Sequence, residues 1–86
     1  MKVQLLVSKW CPSCPQAEQV WEEVARRQAV DYEVLDVAER AGRELISSLR
    51  IKTVPAVVID GRLRAVGVQP LGEAQALLQE TVHAAA

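Results

Sequence analysis

The chain has 86 residues, 50% of them hydrophobic and 24% charged, with a formal net charge of −1. That length gives one core and leaves no room for a second domain. No basic stripe interleaves with aromatics, which argues against nucleic acid as a partner, and no apolar run approaches the roughly 20 residues of a membrane-spanning helix.

The start, MKVQLLVSK, carries one early lysine and an apolar patch broken by Gln4. A secretory signal needs a longer apolar core and a small-residue cleavage site, so none is read and the expected compartment is cytoplasmic. Val3 to Val7 is short, apolar and partly β-branched, and turn chemistry follows it directly; it reads as a buried strand. From Pro15 to Gln28 the apolar residues Ala17, Val20, Trp21, Val24 and Ala25 recur at three and four, which predicts an amphipathic helix. Its acids lean towards the N-terminus and its arginines towards the C-terminus, as the helix macrodipole favours. Trp21 falls on the apolar stripe and is expected in the core. The Glu22-Glu23 and Arg26-Arg27 pairs read as a solvated face.

Asp31 to Val37 is the second expected strand, and a strand–helix–strand unit favours a right-handed parallel crossover. Residues 38 to 49 place Ala41, Leu45, Ile46 and Leu49 on one side of a second helix, in which Gly42 is a local weakness of about 1 kcal/mol relative to alanine. Ala56 to Ile59 is a strand, Asp60-Gly61 is a hairpin dipeptide suited to two positive φ values, and Arg62 to Val66 returns antiparallel. Pro70 suits the first turn of a last helix, where its missing N–H costs nothing. Leu71, Ala74, Leu77, Leu78 and Val82 give that helix its apolar face. The order β-α-β-α-β-β-α is an α/β class. A single domain is expected over residues 1–83, with residues 84–86 as a tail.

The only two cysteines, Cys11 and Cys14, lie in Trp10-Cys-Pro-Ser-Cys-Pro15, where the first strand gives way to the first helix. Spaced i, i+3 at a helix start, they fall within the α-carbon separation a disulfide accepts, about 5–6 Å. Unpaired amides at the helix start favour a thiolate at Cys11, and only the thiolate attacks a disulfide sulfur. Cys14, one turn further in, is expected to be less exposed and suited to resolve a mixed disulfide. Pro12 fits the first helical turn; Pro15, deeper, predicts a local kink. Two other readings of the pair stand beside this one. The thiols could hold a soft ion such as Cu(I), or zinc with further ligands, although structural zinc wants four and the only histidine, His83, is near the opposite end. They could also be plain buried cysteines.

With Thr53-Val54-Pro55 further along, then a hairpin, Gly67 and a last helix, the whole chain resembles the thioredoxin-like superfamily. In size it is similar to glutaredoxins and small microbial or archaeal thioredoxins. Trp10 before the first cysteine looks like thioredoxin, and Pro12 after it looks like glutaredoxin. The resemblance implies a four-stranded mixed sheet of order 2-1-3-4 with the first and third helices on one face. It implies a cis bond at Val54–Pro55, a Val54 backbone free to pair with an extended substrate, and Trp10 as a lid near the thiols. Trp10, Pro12, Ser13, Thr53, Val54, Pro55 and Gly67 are then the substrate-binding and supporting residues around the catalytic Cys11 and Cys14.

Thioredoxins carry a buried acid on the strand leading into the motif, and Val3 to Val7 has none. Glutaredoxins hold glutathione with a Gly-Gly and acidic segment, and VGVQPLGE lacks the second glycine. The implied activity is reduction of protein disulfides by a monomer that needs no organic cofactor. A thioredoxin-reductase-like enzyme or a low-molecular-weight thiol would reset it. A redox-sensing adaptor without turnover is the further alternative.

Overall fold

The computed structural model describes the backbone of residues 1–85 and the side chains of residues 1–80. In chain order the elements are β1 (Lys2–Val7), α1 (Cys14–Arg27), β2 (Asp31–Asp36), α2 (Arg40–Leu49), β3 (Ala56–Ile59), β4 (Arg62–Val66) and α3 (Leu71–Ala85). The strands form one sheet ordered β2-β1-β3-β4, as expected. β1 pairs parallel with β2 and antiparallel with β3, and β3 pairs antiparallel with β4. The chain therefore has the thioredoxin fold. Helical backbone in α3 continues past residue 83; Ala86, at the end of the expected tail, and the His83 and Val82 side chains lie outside the described residues.

Alternation along β1 and β3 sorts the core into two halves. On one face Val3, Leu5, Val57 and Ile59 pack with Ala17, Trp21 and Val24 of α1 and Ala74 and Leu78 of α3. On the other, Leu6, Ala56 and Val58 pack with Ile51 and with Leu45, Ile46 and Leu49 of α2. The central strands are covered on both sides. β3 is buried at all four residues, which is why AVVI reads as a continuous apolar run rather than an alternating one. At the β2 edge, Gln4 Nε2 donates to Glu33 Oε1 at 2.8 Å and Lys2 Nζ lies 3.4 Å from the same oxygen.

The hairpin turn forms as its dipeptide requires, with φ of 50° at Asp60 and 81° at Gly61. Asp60 also ties the turn to the first strand: its Oδ1 accepts from the Lys2 N–H at 2.8 Å, and its own N–H donates to the Lys2 carbonyl at 2.9 Å. The strand after the turn is irregular. Val58 pairs with Leu63 and Val57 with Ala65, so Arg64 is the extra residue of a β-bulge. Leu63 and Ala65 would share a face in a regular strand; here they lie on opposite faces. The bulged Arg64 reaches α3, where its guanidinium lies 3.6 Å from the Glu80 carboxylate.

The second helix starts at Arg40, two residues later than expected, and its buried residue is a different one. It is Gly42, not Ala41, that is buried. The helix closes so tightly on the end of β2 that a Cβ at Gly42 would collide with the Asp36 carbonyl oxygen and come within 3.2 Å of the Val37 α-carbon. The residue that weakens the helix locally is therefore the one that lets it dock. Gly42→Ala gains about 1 kcal/mol of helix propensity but overpacks a backbone contact, a loss of roughly 1–3 kcal/mol. The variant is expected to be less stable, read as a lower urea midpoint.

Candidate active site

The site is built where β1 stops. Ser8 turns the chain: its carbonyl accepts from the Cys11 N–H at 3.2 Å and its Oγ from the Trp10 N–H at 3.3 Å. Cys11, Pro12 and Ser13 make a turn that returns the Cys14 N–H to the Cys11 carbonyl at 3.4 Å, and Ser13 then caps α1 without a side-chain bond. The helix thus begins at Cys14, three residues later than a start at Cys11 would give. The two prolines explain this. Were Cys11 the first helical residue, Pro15 would fall where the ladder needs a donor. With the start at Cys14 it is the second residue, among the N–H groups that have no helical partner in any case. The kink expected at Pro15 is replaced by a later helix start, and Cys11 and Pro12 precede the helix instead of forming its first turn.

The two thiols are free and unequal. Cys11 is partly exposed, and its Sγ–H donates to the Val54 carbonyl at 3.7 Å. Cys14 is 2% exposed. Burial, and then a hydrogen bond with the Cys11 thiol, push the Cys14 thiol up to about 11, against a smaller opposing bond from the Ser8 backbone. An unfolded cysteine titrates near 9.0. The native state therefore holds this proton more tightly, and the stabilisation is complete below the unfolded value and lost as pH rises through about 11. We expect the reduced protein to lose on the order of 2–3 kcal/mol across that window. Urea midpoints measured against pH should fall less steeply for Cys14→Ala.

The Val54–Pro55 bond is cis. Ser8, Trp10, Cys11, Pro12, Ser13 and Val54 line one shallow open depression. Pro55 is buried behind it, and its carbonyl accepts the Gly67 N–H at 2.7 Å, with Gly67 at a φ of 84°. Thr53 is exposed just ahead of Val54 and does not line the depression. Trp10 is 90% exposed, so it flanks the mouth and covers little of it. Sequence reasoning missed Ser8. The available signal was a serine directly after a strand, a residue type that bonds its neighbours' amides in turns. Among the described residues no group of three or more His, Cys, Asp or Glu side chains gathers to hold a metal ion, so a soft ion would have the two thiols alone.

No helix among the described residues is long and apolar enough to cross a membrane. The thioredoxin domain family matches residues 1–79. The chain is similar to a thioredoxin of Methanocaldococcus jannaschii, 37% identical over 69 residues that cover 78% of this chain and 79% of that one. It is similar also to a probable thioredoxin of Archaeoglobus fulgidus, 33% identical over 78 residues, covering 91% and 86%. In three dimensions it superposes on thioredoxin 1 of Thermosipho africanus with a TM-score of 0.75 at 19% identity, covering 99% of this chain and 98% of the other. The chain belongs to the thioredoxin family of dithiol–disulfide oxidoreductases.

Proposed function

We propose that this protein reduces disulfides in protein substrates, with Cys11 as the nucleophile and Cys14 as the resolving thiol. The inequality of the pair carries the reading: one sulfur stands at the mouth of a depression and its neighbour is buried behind it with its proton held. Only the exposed sulfur is open to an incoming disulfide. The Cys11 thiolate attacks one substrate sulfur, a mixed disulfide forms and the first substrate thiolate leaves. Cys14 then loses its proton and attacks the Cys11 sulfur. The mixed bond breaks, the second substrate thiolate leaves, and two electrons have passed from the dithiol to the substrate. A disulfide reductase or a low-molecular-weight thiol returns the pair to the dithiol.

The platform is backbone and apolar surface. Val54 offers its carbonyl beside the Cys11 sulfur, and an extended segment bonded there would lie across the thiol. Pro55 and Gly67 hold that strand end, Trp10, Pro12 and Ser13 line the depression beside it, and Thr53 precedes it on the exposed approach. The protein acts as a monomer without an organic cofactor.

The test is reduction of insulin by dithiothreitol. Catalytic amounts of the protein should shorten the lag before precipitation, and a protein as inert as buffer would overturn the reading.

A further inference from the structure

Resolution poses a problem of proton transfer. Cys14 must become a thiolate to attack, yet its side chain is buried, which disfavours the charged form whether or not Cys11 is still a thiol. The β1 strand beneath it offers no carboxylate: Val3, Leu5 and Leu6 are fully buried, and the polar side chain of Gln4 is committed to Glu33. The carboxylate within reach is on the helix itself. Glu18 is four residues after Cys14, one turn along α1, where side chains stand about 5–6 Å apart at their Cβ atoms. It is partly buried. Its charge acts on the Cys14 thiol on one side and on the Tyr32 hydroxyl of β2 on the other. That hydroxyl is buried without a hydrogen-bond partner among the described residues. Glu22, one turn further, acts on Tyr32 as well. The groups around the resolving thiol are thus Cys11, the Ser8 amide and Glu18, with Tyr32 and Glu22 beyond.

We propose that Glu18 takes the proton that Cys14 gives up as it resolves the mixed disulfide. This rests on the reading of Cys14 as the resolving thiol. As the Cys14 sulfur forms its bond to Cys11, the proton passes to the Glu18 carboxylate, directly or through one water, and from there to solvent. The electron pair of the broken mixed disulfide leaves with the substrate sulfur.

The two roles Glu18 can have predict opposite signs. As a fixed negative charge it holds the proton on Cys14, so its removal would make resolution faster. As a proton acceptor, its removal makes resolution slower. Reduced protein is mixed with one equivalent of the aryl disulfide dithiobis-nitrobenzoate, and coloured thiolate release is followed by stopped flow from pH 6 to 11. The wild type should release two waves, the first from attack by Cys11 and the second from resolution, and Cys14→Ser only the first. In Glu18→Gln the ratio of the second rate to the first should fall at least about tenfold at pH 7. It should converge on wild type as Cys14 ionises unaided at high pH, and Glu18→Asp should recover part of the loss. A second wave unchanged or faster in Glu18→Gln overturns the inference while leaving the function intact. A wild type giving one wave overturns the role of Cys14 itself.

Discussion

Cys11→Ser is expected to bring insulin reduction down to the rate of dithiothreitol alone. A serine hydroxyl is scarcely ionised at neutral pH and forms no disulfide, so neither half of the exchange can start. Cys14→Ser should behave differently. The partly exposed Cys11 still attacks, but no second thiol stands behind it, and the mixed disulfide accumulates. Mass spectrometry of the non-reduced variant should then find substrate attached through Cys11, and the trapped proteins would identify physiological partners. Equal activity of wild type and Cys11→Ser would remove the nucleophile from the scheme. Adducts forming as readily through Cys14 in the Cys11→Ser variant would remove the asymmetry on which the scheme stands.

Trp21→Ala should carry the largest loss of stability. The indole is 1% exposed and lies where α1 meets β1, β3 and α3. Truncating a buried tryptophan costs about 3–5 kcal/mol, against a total of about 5–15 kcal/mol for an ordinary domain. A large unfolded fraction at 37 °C is the expected result, followed by far-UV circular dichroism in urea. Trp21→Phe should be much milder. The indole N–H has no hydrogen-bond partner among the described residues, so the phenyl ring removes a polar group that is not paid for. A loss clearly smaller than that of Trp21→Ala is expected, because less of the buried volume is removed. Comparable losses in the two variants would mean the N–H, not the volume, matters.

The parts of this fold that could be read from the chain are those whose signal is local. Asp60-Gly61 announces a hairpin because few other dipeptides accept two positive φ values, and both residues adopt them. The apolar stripe through Ala17, Trp21 and Val24 gives α1 its buried face. The strand order and the cis bond before Pro55 were legible only through resemblance, since no short stretch encodes either. What escaped depends on distant contacts or on competition between neighbours. Gly42 looks like a defect until the Asp36 carbonyl is seen against it. The bulge at Arg64 leaves no mark in RLRAV, because it is a matter of how that strand pairs with β3. The start of α1 turned on which of two prolines the first turn could absorb, and Pro15 decided it. Of the site, the cysteines and their neighbours were legible from the motif. Ser8 was not, because its bonds to the Cys11 and Trp10 amides appear only once the turn is formed, and the role proposed for Glu18 rests on its place one helical turn from Cys14.

The chain's two tryptophans, Trp10 at 90% exposure and Trp21 at 1%, stand at opposite extremes of solvent contact. Their fluorescence therefore separates into two channels without any attached dye. The indole beside Cys11 emits from water and is open to quenching by whatever docks, whereas the interior one keeps a blue-shifted emission until the molecule comes apart. Docking and denaturation can be followed in one cuvette by choosing the wavelength.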